Sequence, residues 1–558
     1  MRARNFTATC GGLVLAALIG LSPGLAQTAS PLSGVVSSAE EGAMEGVIVS
    51  AQLAGSTITV SVVSDDKGRY SFPAGRLQPG SHDVRIRAAG YDLATANPKI
   101  AIAADKPASA DLKLVKTKDL GAQLTNAEWL VSVPGTPQQK SMLQNCVTCH
   151  TVERVMRAKY TSQELLETVL PRMQSYVNQS IPEAPQLRKA ERLMEERGDS
   201  RVQIYKAVGD YLAQVNLSTA ENGTWGYELK TFPRPKGRAT RVVYTEYDLP
   251  RKSIQPHDVI LDGQGNAWYS SFGEQFIGRV DTKTGAHKEY AVPMHKPGFP
   301  TGSLSLRADQ DGRFWFGNMY QGTLYQFDPR TEAMRAFPLP PEVNVDQAQL
   351  NMSAPGAIKV DNKIWTQNNG FAGVHRLDLT TSKWETWEPY KGAKEPHNIY
   401  DIVADSKNNL FYTDFRWRHI GRIDAKTGAV EIYEVPTAGA NPRRAQMDGQ
   451  DRMWFGEYRG HRIGMFDTKT LKFKEWPIPT PWSAPYDVTL DRNEDAWTGS
   501  MLTDRVARLN TKTDEIIEYL APRSTNIRRV HVDNTNTPVT FWVGNNHGAS
   551  IRKIEPLD

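Results

Sequence analysis

Apolar and polar residues change rhythm three times along this chain, and each rhythm predicts a different kind of element. Between residues 31 and 115 they alternate in short runs, GVIVSAQ, STITVSVV, GRYSFPA and HDVRIRAAGY, parted by turn signals at Asp66-Lys67-Gly68 and Pro79-Gly80. Period-two alternation broken by such turns predicts a small antiparallel β-sandwich. From 120 to 218 the apolar positions fall at i, i+3, i+4 and i+7, as in SQELLETVLPRMQSYV and VQIYKAVGDYLAQV, with Thr161-Ser162 before Glu164 as a helix start. That spacing predicts a small all-α domain.

From about 240 to 558 the sequence repeats. NAWYSSF, RFWFGNM, KIWTQNN, NLFYTDF, RMWFGEY, DAWTGSM and TFWVGNN align on Trp268, Trp315, Trp365, Phe411, Trp454, Trp497 and Trp542, spaced 43 to 50 residues apart. That spacing suits one four-stranded blade, so the count predicts a seven-bladed β-propeller with these aromatics in its core. Strands such as FIGRVD and HIGRID end in Asp281, Asp328, Asp378, Asp424, Asp467 or Asn510, side chains able to cap the following turn. The seventh unit has only three strands. RVVYTEYDLP, at 241–250, matches the missing fourth and is expected to close the ring and remove a free edge. The fold class predicted is therefore a mainly β multidomain protein: β-sandwich, small all-α domain, seven-bladed β-propeller.

Composition adds location and excludes some partners. Residues 1–26 carry Arg2 and Arg4, an apolar run from Gly11 to Leu21, and small residues ahead of a cleavage point after Ala26. This reads as a signal peptide and predicts a periplasmic or secreted protein. No later run reaches ~18 apolar residues, so no transmembrane segment is expected in the mature chain. The balance of 66 Lys+Arg against 62 Asp+Glu argues against a nucleic-acid partner. Of three cysteines, Cys10 leaves with the signal, and Cys146 and Cys149 remain.

Those two stand in NCVTCHTVERV, residues 145–155. A structural zinc site needs about four ligands, commonly a second cysteine pair, and the mature chain has none. A thioredoxin-like pair needs a βαβ setting, and this segment is helical. Covalent attachment of one haem c fits: two thiols two residues apart reach the vinyl groups, and His150 meets the iron. The segment resembles a mono-haem cytochrome c domain in CxxCHxxxR…VxxRMxxY…IxxYL, over about 140–216. That resemblance implies Met173 as sixth iron ligand, with Met194 as competitor and Met156 too near the attachment helix. It also offers Arg154 to a haem propionate.

The first segment resembles a carboxypeptidase regulatory-like domain, which implies a spacer, docking platform or carbohydrate binder. In the propeller, residues before each first strand face the channel mouth: Pro256-His257, Pro355-Gly356, Pro396-His397, Pro442-Arg443-Arg444, Pro485-Tyr486 and Arg528-Arg529. Loops after the anchor strands add Glu274, Asp414, Arg416, Glu457, Arg459, Asn545 and His547. A ring this rich in His, Arg and Tyr predicts a polar, anionic small-molecule ligand, with Arg443, Tyr486 and Arg528 binding it. The repeat "PHxV…D…WF…IGR(I/V)D…xEYxVP" resembles the virginiamycin B lyase (streptogramin lyase) family over roughly 240–558. That resemblance implies catalysis by a Pro-His histidine and a Glu-Pro-His from the next blade around a divalent cation. Glu395-Pro396-His397 matches the second part; Gly356 stands where the first histidine belongs, and His257 lies three blades away.

Three functions follow as expectations. The leading one is a haem c oxidoreductase, with His257, Glu395 and His397 in the propeller site and electrons passing to a periplasmic partner. The second is a non-enzymatic electron carrier or sensor. The third is a metal-dependent lyase built on Glu395 and His397.

Overall fold

The computed structural model describes residues 30–173, 199–218, 220 and 223–558. The expected signal peptide with Cys10, and Met194, lie outside the described residues. The chain is mainly β, with 40% strand against 12% helix.

The N-terminal segment is a two-sheet sandwich. One sheet sets Leu32–Ser38 parallel to Leu112–Lys116, and the other runs Lys99–Ile102, Gly80–Arg87, Ile48–Leu53 and Ile58–Val63 in that order. The inward positions of the alternating runs, among them Val36, Val49, Val60, Phe72 and Val84, form its core.

Six four-stranded antiparallel sheets follow, from Pro256 to Leu520. The seventh joins Ile527–Asp533, Thr540–Asn545 and Ser550–Pro556 to Val242–Asp248. Seven residue pairs, Val242↔Pro556 to Asp248↔Ser550, make that closure. The outer edge of the same strand pairs with the sandwich, Val243↔Val62 to Tyr247↔Ile58, so one sheet runs from blade 7 into the N-terminal segment. The edge is thereby covered. Glu246 on this strand is buried, with Arg552 donating at 3.0 Å and Arg523 at 2.8 Å.

The repeat motif has a physical cause in each part. The indole N–H groups of Trp268, Trp315, Trp454 and Trp497 donate to Asp262, Asp309, Asp448 and Asp491 at 2.9, 2.9, 2.9 and 3.0 Å. The same carboxylates accept backbone N–H groups of their own hairpins, so each fixes a turn and an anchor together. The glycine of HIGRID is needed for close approach: a side chain on Gly421 would meet the Tyr412 ring of the neighbouring strand.

The helical segment requires a correction to the predicted fold class. Its described helices are α1 (Asn126–Ser132), α2 (Pro137–Cys146), α3 (Val152–Met156), a run from Ser162 to Met173 with a π-type stretch at Leu165–Val169, and the longer Asp199–Val215. They do not form a distinct all-α cytochrome c domain. Trp129, Leu143, Val147, Met156, Leu165 and Tyr211 share one hydrophobic cluster with Leu304, Met352, Tyr400, Tyr458, Tyr486 and Leu502 of the propeller. The periodicity was helical because each helix has one apolar face, and those faces join a cluster that continues into the propeller top. The segment is a cap, and the Ala127 N–H donates to the Leu502 carbonyl at 2.8 Å across the seam.

A shared core predicts shared stability. Trp129→Ala, at a fully buried position, is expected to cost about 3–5 kcal/mol. Hydrogen exchange should then rise both in α1 and in the inner strands Ile399–Ala404 and Pro485–Leu490. Faster exchange confined to the helices would mean that the cap has a core of its own.

Candidate functional site

Two clusters of chemistry-bearing side chains stand out, one on the propeller axis and one on the rim of blade 4. The axial cluster depends on a backbone irregularity that recurs in five blades. Register shifts by one residue between Pro256 and Val259, Ile399 and Ile402, Pro442 and Ala445, Pro485 and Val488, and Ile527 and Val530. A regular strand sends consecutive side chains to opposite faces; a bulge lets two neighbours turn the same way. The five bulged pairs are His257-Asp258, Tyr400-Asp401, Arg443-Arg444, Tyr486-Asp487 and Arg528-Arg529, and all ten residues are buried.

The second members form a lower layer. Arg444 donates to both oxygens of Asp258 at 3.0 Å and through Nε to Asp401 at 3.1 Å. Arg307 of blade 2 donates to both oxygens of Asp401, at 3.0 and 2.8 Å. Arg529 reaches Asp258 at 3.1 Å and Asp487 at 3.4 Å. Three guanidiniums thus face three carboxylates. The cations hold Asp258 and Asp401 below the usual carboxylate range although burial opposes this, while burial wins at Asp487 and raises it.

The first members form an upper layer. His257 Nδ1 donates to Asp258 at 2.9 Å and its Nε2 lies 3.0 Å from the Tyr486 hydroxyl. Burial pushes this imidazole down to about 4, so it is neutral. The Tyr486 and Tyr400 hydroxyls are 2.5 Å apart. Arg443 sits over the rings of Tyr400, Phe415, Tyr458 and Tyr486 at 4.4 to 5.1 Å. Arg443, Tyr486 and Arg528, predicted to bind ligand, are therefore brought together with His257, but under the helical cap. Arg528 donates to the Thr148 carbonyl at 2.9 Å and Asn526 to the Val147 carbonyl at 3.2 Å.

The loop they hold is the cysteine–histidine motif. Cys146 ends α2, and the Cys149 and His150 amides both donate to its carbonyl, at 3.1 and 3.2 Å. Burial, followed by the neighbouring Cys149, pushes the Cys146 thiol up to about 12, so it is protonated at neutral pH. Burial also lowers His150. Its Nδ1 lies 3.1 Å from the Thr151 carbonyl, an arrangement that leaves Nε2 as the nitrogen with a lone pair. Two thiols and an imidazole nitrogen with a lone pair are thereby gathered on one loop. Met173, by contrast, is 45% exposed among the described residues, and Met156 is fully buried in the shared core.

The rim cluster joins three strand ends of blade 4. His397 Nδ1 donates to Asp414 Oδ2 at 2.6 Å, and His419 Nδ1 lies 3.7 Å from the same oxygen. Asp414 and His419 are direct cross-strand partners. The other Asp414 oxygen accepts the Asn398 and Arg416 amides, which fixes the carboxylate. Tyr390 stacks on His397 with ring centres 3.7 Å apart. The three ligand atoms lie within 4.8 Å of one another, and His419 Nδ1 is buried without a hydrogen-bond partner. A cleft of about 220 Å³ opens beside them, lined by Asn369, Phe371, Tyr390, Lys391, Glu395 and His397. Glu395 and His397 are thus together, whereas His257 belongs to the axial cluster. Gly356 is exposed and brings no side chain to either.

Sequence reasoning singled out Asp414 but missed His419 and Tyr390. His419 stood in plain view in the HIGRID strand, and its register opposite Asp414 was the available signal. The lower-layer aspartates were also missed, although PHDV, IYDIV and PYDV align on them.

Two family models match the chain. Residues 385–557 match the virginiamycin B lyase family and residues 31–115 the carboxypeptidase regulatory-like domain. Among solved structures, a selenomethionine-substituted virginiamycin B lyase from Staphylococcus aureus is similar at 21% identity and TM-score 0.47, over 56% of this chain and 99% of that one. A streptogramin B lyase structure is similar at 21% identity and TM-score 0.49, over 57% and 99%. No curated protein matches.

Blade 5 places Glu457 where blade 4 has Asp414, each opposite the first residue of its inner strand. This carboxyl is fully buried, and burial together with Glu475 pushes it up to about 9. An unfolded Glu releases its proton near ~4.3. Between those values the folded chain holds a proton that the unfolded chain has lost, so stability is fullest below ~4.3 and falls as pH rises through about 9. Denaturant midpoints measured against pH should show this decline, and Glu457→Gln should flatten it.

Proposed function

We propose that this chain is a metal-dependent enzyme of the lyase type, acting on a small carbonyl compound held in the cleft beside His397. The observation that carries this reading is the carboxylate of Asp414 set between two imidazoles, one of them with an unpartnered buried nitrogen. The donor set of two histidines and one carboxylate suits a first-row transition ion or zinc better than magnesium, which prefers all-oxygen ligands. A cation bound there would polarise a substrate carbonyl.

The chain's own residues supply the rest. To offer Nδ1 to a cation, the neutral His397 would carry its single ring proton on Nε2 instead of donating it to Asp414. Tyr390 holds the ring of His397 in place by stacking. Glu395, exposed at the cleft wall, is the carboxylate placed to take a proton from the substrate. The match to the virginiamycin B lyase family over 385–557 supports this reading. Gly356, standing where the resemblance to the streptogramin lyases implies a histidine, argues for a substrate other than a streptogramin.

A second reading concerns the loop, and the free lone pair of His150 favours it. Cys146 and Cys149 would hold one covalent haem, with His150 offering a nitrogen to its iron, in an exported protein that passes electrons to a partner. Met173 would serve as the second iron ligand in this reading only if its exposed side chain turned inward.

Titration with Zn²⁺ or Mn²⁺ should give one site per chain, weakened by about 100-fold or more in Asp414→Asn, since even outer-shell partners of ligands cost 10–100-fold. In a screen of small lactones and esters, Glu395→Gln should lower turnover by about 10²–10⁴-fold and a chelator should abolish it. Metal binding unaffected by Asp414→Asn would overturn the lyase reading. For the loop, expression with a c-type maturation system should yield one covalent haem, lost in Cys149→Ala; a haem-free chain would overturn the second reading.

A further inference from the structure

The two layers of the axial cluster differ in charge. The lower layer is balanced, but Arg443 and Arg528 in the upper layer have no carboxylate among their partners within the described residues. Arg443 is 5% exposed and Arg528 1%, and the Nε of each is buried without a hydrogen-bond partner. A buried cation without a counter-charge is strongly unfavourable. The acidic hydrogens nearest to Arg443 are phenolic, those of Tyr400, Tyr458 and Tyr486.

Two of these phenols are in unusually close contact. Neutral hydroxyl pairs sit about 2.7–2.8 Å apart, and a hydroxyl donating to an anionic oxygen about 2.5–2.7 Å. The Tyr400–Tyr486 separation is 2.5 Å, and Arg443 Nη2 points at the Tyr400 oxygen from 3.5 Å.

We propose that Tyr400 and Tyr486 share a single proton and that the pair carries one negative charge, offsetting one of the two arginine charges, a buried phenolate site beneath the Cys146–His150 loop. Tyr486 holds the proton and donates it to Tyr400. The same hydroxyl lies 3.0 Å from His257 Nε2, so the proton can also be offered along the path to Asp258. The groups facing the pair are Arg443, Arg528 and Arg444 as cations, the neutral His257, and the Tyr458 ring under Arg443. The cations lower Tyr400 against the opposing effect of burial, while Tyr486 is raised, the split expected of one shared proton. Because Arg528 also grips the Thr148 carbonyl, the charge of the pair bears on the loop above it.

Ultraviolet difference spectroscopy of the full chain tests this. At neutral pH the wild-type protein should show one equivalent of phenolate absorbance per chain, disappearing on acidification. The band should be absent at neutral pH from Tyr400→Phe, and also from Arg443→Met, which keeps both hydroxyls but removes the cation. If the variants fail to fold, the wild-type titration still decides. A protein whose first phenolate appears only with the ordinary tyrosines, near pH ~10, overturns the proposal, as does a neutral-pH band that survives in folded Tyr400→Phe.

Discussion

The propeller rests on the neutralisation of charge at its axis. Asp258, Arg307, Asp401, Arg444, Asp487 and Arg529 come from six of the seven blades, and every one is less than a tenth exposed. No single blade could hold its own member of that set, because one ion removed from water costs several kcal/mol unless a partner meets it. The ring must therefore assemble as a whole. The closing strand Val242–Asp248 fastens the two ends of the repeat, and Asp258 of blade 1 then meets Arg529 of blade 7 across the join. Closure of the backbone and balance of charge are one event.

That arrangement also explains the cap. A bulge that turns two neighbours inward fills the channel in two layers, and the upper one ends in apolar ring faces and carbonyl-seeking guanidiniums. Tyr400, Tyr458 and Tyr486 present their rings to Trp129, Val147 and Met156 in a common cluster. Arg528 and Asn526 take up the loop carbonyls at Thr148 and Val147. The helices need this surface because their apolar faces would otherwise lie open to water. The sandwich is tied on by a different bond, the sheet shared through Ile58–Val63.

Much of the architecture was legible from period alone. Blade number, anchor tryptophans, turn-capping aspartates and the two-sheet N-terminal segment each leave a local signature, and local signatures survive in a single sequence. The Asp281 carboxylate accepts the Lys283 and Thr284 amides as its position in the repeat implied. What was not legible is where faces meet. Helical spacing reveals that VQIYKAVGDYLAQV has an apolar side but not what covers it, so a cap read as a domain. Likewise PHDV suggested a histidine at the channel mouth, whereas the bulge at Pro256/Val259 buries it with its aspartate. His419 was missed because its role depends on pairing with Asp414 across a hairpin, a register that no single strand displays.

The two clusters differ in how they are held, and that difference bears on chemistry. On the rim, all three donors stand at strand ends of one blade, the carboxylate fixed by two backbone amides and an imidazole by a stacked ring, beside an open cleft. Rigid ligands next to accessible space are what a small substrate requires. On the axis, the titratable groups are sealed under helices and joined to one another by hydrogen bonds, so protons and charge can shift there while bulky ligands are kept out. The Cys146–His150 loop lies against the sealed cluster, and its register depends on Arg528. The upper layer thus touches both sites, the loop through Arg528 and the rim's own blade through Tyr400, three positions after His397 and packed on Phe415 beside Asp414.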